Sequence, residues 1–127
     1  MSERSLRGAR VLIVEDNYVV ADALRFLLET YDCLVTAMAP NLEQAYAALA
    51  AGPIDVAILD INLNGTSVVP LAERLDAAGV QFVFVSGYGD AELLPEHLRG
   101  RPRLDKPIED ARLAQTLLDL VFAGKVT

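Results

Sequence analysis

Residues Arg10 to Asp16 read RVLIVED, a short apolar run that ends in two carboxylates. The part from Arg10 to Glu15 is too short for a buried helix and is typical of a central strand in a parallel sheet. Asp16 or Asn17 can then cap a helix. Apolar residues follow at helical spacing through about Thr30: Val20, Leu24, Leu27 and Leu28. This stretch therefore predicts a strand, an acidic junction and a helix.

The same alternation continues along the chain. Asn41 with Gln44 three residues later resembles a capping box, and Ser67 can cap another helix. Asn64-Gly65 indicates a turn. Further strands are predicted at Leu34–Ala39, Asp55–Asp60, Gln81–Ser86 and Arg103–Asp105. The remaining helices are predicted from Asn41 to Gly52, from Ser67 to Gly79, near Ala91–Leu98, and up to Gly124.

Five strand–helix units predict an α/β fold with a parallel sheet covered on both faces. The pattern fits the flavodoxin-like doubly wound order 2-1-3-4-5, in which the first and third strands are neighbours. The 127 residues are expected to form a single domain, residues 1–127, with a core at about 9–124.

Composition narrows the function classes. Hydrophobic residues make up 53% of the chain, which excludes a mostly disordered protein. The net charge of −7 argues against nucleic acid or an anionic membrane as a partner. No apolar run approaches the length of a membrane span. The single cysteine, Cys33, favours a reducing compartment, and we expect a cytoplasmic location.

Polar residues interrupt the apolar pattern where the predicted strands end. Glu15 and Asp16 follow the first strand, Asp60 ends the third, Ser86 ends the fourth and Lys106 follows the fifth. In an open parallel sheet, the ligand crevice lies outside the carboxyl ends of the strands. We therefore expect three carboxylates, a hydroxyl and an ammonium to meet in one crevice.

This set of groups suits phosphoryl transfer. Three carboxylates in one cleft repel each other, and a hard cation such as Mg²⁺ (or Mn²⁺) would relieve the conflict. We expect Asp16 to bind the metal directly and Glu15 to act through water. Asp60 is the best nucleophile for an acyl-phosphate, with Lys106 neutralising charge and Ser86 contacting a phosphoryl oxygen.

The chain resembles the receiver domain of two-component response regulators, and most specifically the single-domain, alphaproteobacterial-type receivers. Four motifs carry the resemblance in the family's order: LIVEDN (Leu12–Asn17), ILDINLNG (Ile58–Gly65), FVSGYG (Phe84–Gly89) and LDKP (Leu104–Pro107). It implies a phosphoacceptor switch that assists its own phosphorylation and dephosphorylation, not a metabolic enzyme. The implied partner is a sensor histidine kinase or phosphotransfer protein. A downstream protein target or phosphate draining would provide output, and a homodimer could form through the fourth and fifth helices.

The resemblance also implies roles for individual residues. Asp60 is the phosphoacceptor and Glu15 with Asp16 is the acidic metal pair. The backbone carbonyl of Asn62 is a further metal ligand, Ser86 is the switch hydroxyl and Lys106 contacts the phosphoryl group. The Lys106-Pro107 bond is expected to be cis.

The switch position departs from the family pattern. Arg103 stands three residues before Lys106, where the family usually has an aromatic switch residue. Tyr88, two residues after Ser86, is the candidate to replace that residue or to gate the phosphoryl site.

Three alternative functions stay open. The chain could be a pseudo-receiver that acts as a phosphorylation-independent interaction module. A flavodoxin-type redox carrier would need a phosphate-binding loop after the first strand, where the acidic pair stands instead. An aspartyl phosphatase would want an aspartate two residues after Asp60, and Asn62 occupies that position.

Overall fold

The computed structural model describes residues 5–126 and contains a five-stranded parallel sheet. The strands in chain order are β1 Arg10–Val14, β2 Leu34–Ala39, β3 Val56–Asp60, β4 Asn62–Leu63, β5 Thr66–Ser67, β6 Gln81–Ser86 and β7 Arg103–Asp105. The large sheet has the order β2-β1-β3-β6-β7, and β4 pairs with β5 in a separate hairpin. Counted over the strands of the large sheet, this is the predicted order 2-1-3-4-5, and the doubly wound fold is confirmed.

The described residues also form four α-helices. Three lie between strands, α1 Tyr18–Thr30, α2 Leu42–Ala51 and α3 Val69–Ala77, and α4 Asp110–Val126 follows β7. Within residues 5–126, none of these helices combines the length and the apolar character that crossing a membrane requires.

The sheet separates two hydrophobic clusters, and β1 contributes to both because successive side chains point to opposite faces. Val11 and Ile13 pack with residues of α1 and α4, whereas Leu12 and Val14 pack with residues of α2 and α3. These four side chains of β1 are fully buried. This burial on both faces explains why the apolar run in the sequence is continuous.

The predicted starts of the first two helices agree with the structure. The Asn17 side chain caps α1 by accepting from the N–H groups of Val19 and Val20. Asn41 caps α2, because its side-chain oxygen accepts from the Gln44 N–H at 2.9 Å. The Asn41 side-chain amide also donates to Gln44 Oε1 at 3.0 Å. The capping box is only half formed, because the Gln44 side chain accepts from the Asn41 side-chain amide and not from the Asn41 backbone N–H. The Asn17 cap places the start of α1 next to the acidic pair.

Two predicted helix ends were wrong by one or two residues. The N-cap of α3 is Val68, which makes no capping side-chain bond, and Ser67 instead accepts from the Val69 N–H at 3.1 Å. Ser67 cannot be the cap because it belongs to the β4–β5 hairpin. The last helix continues past Gly124 to Val126.

The helix predicted near Ala91–Leu98 was wrong, and two short 3₁₀ turns, Asp90–Leu93 and Glu96–Leu98, stand in its place. Pro95 separates them because it has no N–H for a helical hydrogen bond. The fold therefore lacks an α-helix between β6 and β7. A dimer through fourth and fifth helices, as the family resemblance implied, has no regular fourth helix to use.

The turn at Asn64-Gly65 is confirmed. Both residues have positive φ, 52° and 87°, which is the conformation that asparagine and glycine tolerate best. The turn closes the small hairpin that directly follows Asp60, so the chain turns back beside the carboxyl end of β3.

Candidate functional site

Five of the residues singled out in the sequence lie at the carboxyl edge of the large sheet. Glu15 follows β1, Asp60 ends β3, Ser86 ends β6, and Lys106 follows β7. Glu15, Asp60 and Ser86 are buried, and Asp16 is exposed beside them. The parallel sheet thus brings groups from distant parts of the sequence to one edge, as expected for this topology.

Three carboxylates form an acidic cluster. One oxygen from each of Glu15, Asp16 and Asp60 lies within 4.8 Å of the others. Carboxylate oxygens are the ligands that Mg²⁺ prefers, and a set with one exposed member leaves room for the waters that Mg²⁺ retains. These residues therefore fit a divalent cation.

The adjacent acidic residues differ in their surroundings. Glu15 accepts from the Asn17 N–H at 3.0 Å, and its other oxygen lies 3.0 Å from the Lys106 Nζ. These two contacts hold the buried Glu15 carboxylate at the start of α1. Asp16 stays exposed to solvent, where it can bind a cation without first breaking those contacts.

Lys106 is the positive group of the site. Its Nζ lies 3.0 Å from Glu15 and 3.6 Å from Asp60 Oδ2. Burial lowers the pKa of this ammonium, but the hydrogen bond with Glu15 and the charges of both carboxylates outweigh that effect. The pKa of Lys106 is therefore raised above its ordinary value, and the side chain is a permanent cation. The Lys106-Pro107 bond is cis, as the family resemblance implied.

The carboxyl group of Asp60 is held in an unfavourable place for a charge. Its pKa is raised from 3.8 to about 7, first by burial and then by the hydrogen bond and charge of Glu15. Lys106 and the Asn62 N–H, 3.4 Å from Asp60 Oδ1, lower the pKa without offsetting these effects. A cation in the cluster would favour the ionised form, which is the form that can act as a nucleophile.

This raised pKa predicts a pH dependence of stability in metal-free protein. The folded state keeps a proton on Asp60 that the unfolded state loses, so the free energy of unfolding should fall as pH rises from about 4 to about 7. Asp60→Asn, which cannot titrate, should remove this loss, on the order of 2 to 4 kcal/mol at neutral pH. Urea unfolding of both proteins with EDTA from pH 4 to 8 measures the difference, and parallel pH profiles would contradict it.

Ser86 has a partner that the sequence interpretation missed. Its hydroxyl donates to Asp105 Oδ1 at 3.1 Å, and the two residues are paired in the register of β6 and β7. Asp90 is a second missed residue, since its carboxylate accepts from the Gly87 N–H at 2.9 Å and anchors the loop after β6. The alternation Arg-Leu-Asp before Lys106 was the available signal, because it places Asp105 at a strand end beside Ser86.

The other predicted residues lie around the rim. Asn62 follows Asp60 in β4, and its side chain accepts from the Gly65 N–H at 2.7 Å. Tyr88 is fully exposed and lines a surface groove together with Ser86, Asp105 and Lys106. The ring does not pack into the domain, so it is free to contact another molecule.

Comparisons with known proteins agree with this geometry. The family model described as response regulator receiver domain matches residues 11–118. The sensory transduction protein LytT of Bacillus subtilis is 32% identical over 111 residues, covering 85% of this chain and 46% of LytT. The transcriptional regulatory protein FixJ of Azorhizobium caulinodans is 31% identical over 110 residues, covering 81% of this chain and 50% of FixJ. The chain thus spans about half the length of these relatives.

A solved structure of similar size extends the comparison to the whole fold. The solution structure of SdrG from Sphingomonas melonis Fr1 superposes with a TM-score of 0.79 at 36% sequence identity. The match covers 90% of this chain and 97% of SdrG. The similarity therefore extends over most of this chain and nearly all of SdrG.

Proposed function

Because this chain belongs to the response regulator receiver family, we propose that it accepts a phosphoryl group on Asp60 from a histidine kinase or a phosphotransfer protein. The observation that carries this proposal is the buried Asp60 carboxyl, which forms the acidic cluster with Glu15 and Asp16 and lies 3.6 Å from the Lys106 ammonium. Such a carboxylate can attack phosphorus once its charge is stabilised. In our proposal residues 1–127 act as a single receiver domain.

The transfer is a displacement at phosphorus. An oxygen of the Asp60 carboxylate forms a bond to phosphorus while the phosphorus–nitrogen bond to the donor histidine breaks. The nitrogen keeps the electron pair and takes up a proton. Lys106, already 3.6 Å from Asp60, stabilises the charge on the phosphoryl oxygens, and Ser86 donates a hydrogen bond to one of them. The domain in this way assists its own phosphorylation.

A divalent cation belongs to the proposed site. Asp16 and Asp60 would bind it, Glu15 would act through water, and the Asn62 backbone carbonyl would complete the protein ligands. When bound, Mg²⁺ (or Mn²⁺) supplies positive charge to the transferring phosphoryl oxygens. The Asn62 amide cannot take a proton from an attacking water, as an aspartate at this position could, which favours a lasting acyl-phosphate over rapid hydrolysis.

Mg²⁺ is expected to stabilise the folded protein, because only the folded state brings the three carboxylates together. At a hundredfold excess over its dissociation constant the gain should be about 2.7 kcal/mol. Asp16→Ala should lose most of it, since Asp16 is exposed and its removal leaves the core intact. Asp32→Asn, an exposed control at the other end of α1, should keep it. Urea unfolding with and without Mg²⁺ provides the measurement, and an equal gain in Asp16→Ala would contradict the proposed ligand.

The direct test of the proposed function is a mass measurement. The protein is incubated with Mg²⁺ and acetyl phosphate, and its intact mass is recorded. We expect a gain of one phosphoryl group. No gain with acetyl phosphate or with any phosphorylated donor protein would favour the alternative, a pseudo-receiver that acts by protein interaction without phosphorylation.

We propose that the groove beside Ser86 transmits the phosphorylation signal to a target protein. In our proposal Tyr88 takes the place of the missing aromatic switch residue, because Arg103 occupies the usual position and Tyr88 lines the same groove as Ser86 and Lys106. Phosphorylation would change the contacts of this exposed ring and so change a surface that binds a target protein.

A further inference from the structure

The Ser86 hydroxyl is already engaged before any phosphorylation. It donates to Asp105 Oδ1 at 3.1 Å, and the Gly87 carbonyl lies 3.4 Å from the same Oγ. Ser86 is only 3% exposed, so water has little access to this hydroxyl. Asp105 is therefore the acceptor that orients Ser86 in the unphosphorylated protein.

The sheet itself holds this contact in place. Ser86 and Asp105 are paired residues at the ends of β6 and β7, and side chains at paired positions leave the sheet on the same face. The Lys106 N–H donates to the Ser86 carbonyl at 2.9 Å and joins the two strand ends. The contact consequently rests on the strand register and not on a loop.

A hydroxyl group has one hydrogen, and this limits what Ser86 can do. The oxygens of a phosphoryl group on Asp60 would only accept hydrogen bonds, as the carboxylate oxygens of Asp105 do. Ser86 can give a well-aligned hydrogen bond to one of these acceptors at a time. Asp105 and the phosphoryl group therefore compete for the same hydrogen.

We propose that Asp105 is a positioning residue that holds the Ser86 hydroxyl away from the phosphoryl site and thereby opposes the phosphorylated state. This inference rests on the proposed function and adds a residue to it. Arg103 gives the carboxylate another partner, because its Nε lies 3.7 Å from the same Asp105 oxygen. Asp105 stays paired when Ser86 turns to the phosphoryl group, so the exchange leaves no charge without a partner.

The first test uses the unphosphorylated protein. The Hα–Hβ couplings of Ser86, measured by NMR, report whether its side chain occupies one rotamer. We expect a single rotamer in the wild type and averaged couplings in Asp105→Ala. Averaged couplings in the wild type would overturn the inference, whether or not the protein can be phosphorylated.

The second test measures the affinity for beryllofluoride, a phosphoryl analogue, with Mg²⁺ present. Asp105→Ala should bind it about fivefold more tightly, because the competing hydrogen bond is gone. The affinity of Asp105→Asn for beryllofluoride should lie between those of Asp105→Ala and the wild type, since a neutral amide oxygen accepts a hydrogen bond more weakly than a carboxylate. Glu109→Gln removes an exposed charge near the same strand end and should change the affinity less than twofold.

The Ser86→Ala background separates positioning from charge. Without the hydroxyl, Asp105→Ala should change beryllofluoride affinity less than twofold. The inference would be overturned if Asp105→Ala raised the beryllofluoride affinity equally in the Ser86→Ala background. It would also be overturned if Asp105→Ala alone left this affinity unchanged. A wild type that fails to bind beryllofluoride would contradict the proposed function instead, and the NMR couplings would still decide whether Asp105 orients Ser86.

Discussion

Asp60→Asn is expected to abolish the phosphoryl mass gain with acetyl phosphate and Mg²⁺. The amide has no carboxylate oxygen to form the acyl-phosphate, while its shape matches the buried aspartate. The substitution should also stabilise the metal-free protein, because it removes a charge that is buried beside Glu15. Loss of phosphorylation together with unchanged or higher stability would exclude misfolding as the cause.

Asp32→Asn is the matched control for this change. Asp32 is exposed, lies beyond the end of α1, and has a φ of 63°, a conformation that asparagine adopts readily. The control should gain one phosphoryl group as the wild type does. A mass gain that persists in Asp60→Asn would place the phosphoacceptor elsewhere, and peptide mapping of the phosphorylated protein would identify it.

Lys106→Ala should slow phosphorylation by about a hundredfold or more. Removing one group that stabilises developing charge in a protected site typically costs this much. Nζ is the positive charge 3.0 Å from Glu15 and 3.6 Å from Asp60, so its loss leaves both carboxylates without a neutralising partner. The pKa of Asp60 should then rise further, which lowers the fraction of the nucleophilic form.

Lys106→Met distinguishes charge from packing. Methionine keeps an unbranched side chain in the same space and lacks the charge. If the ammonium is what matters, both variants should be slow in a time course of intact mass at saturating Mg²⁺. A rate near the wild-type value in Lys106→Met would contradict a direct role for the charge in the transfer.

The residues that carry the resemblance to a receiver domain can be recognised from the sequence alone. Strand ends are visible because a buried parallel strand is a continuous apolar run, and a carboxylate directly after it marks the edge of the sheet. The positions of Asp60 and the Glu15–Asp16 pair followed from this rule. The capping residues Asn17 and Asn41 were also predictable, because their side chains accept from N–H groups only two or three residues further along the chain.

The segment between β6 and β7 was harder to predict. Its apolar residues suggested a helix. The structure instead buries Leu94, which directly follows the first 3₁₀ turn, and Leu98, which lies in the second. These two side chains are buried without a continuous helix, because hydrogen bonds hold the loop in place. Asp90 binds the Gly87 N–H, and Arg99 donates to the Leu94 carbonyl at 2.9 Å. Such contacts depend on the tertiary path of the chain and leave no periodic pattern.

The sequence by itself determined the order of the five strands in the large sheet, the acidic junction after β1 and the placement of Asp60, Ser86 and Lys106 at strand ends. These features depend on local apolar patterning and on the general rule for parallel sheets. The tertiary structure decided which groups touch: Lys106 with Glu15, Ser86 with Asp105, and Asp60 in a buried place that raises its pKa to about 7. Those contacts join residues far apart in the chain, and their distances and burial exist only once the strands are in register.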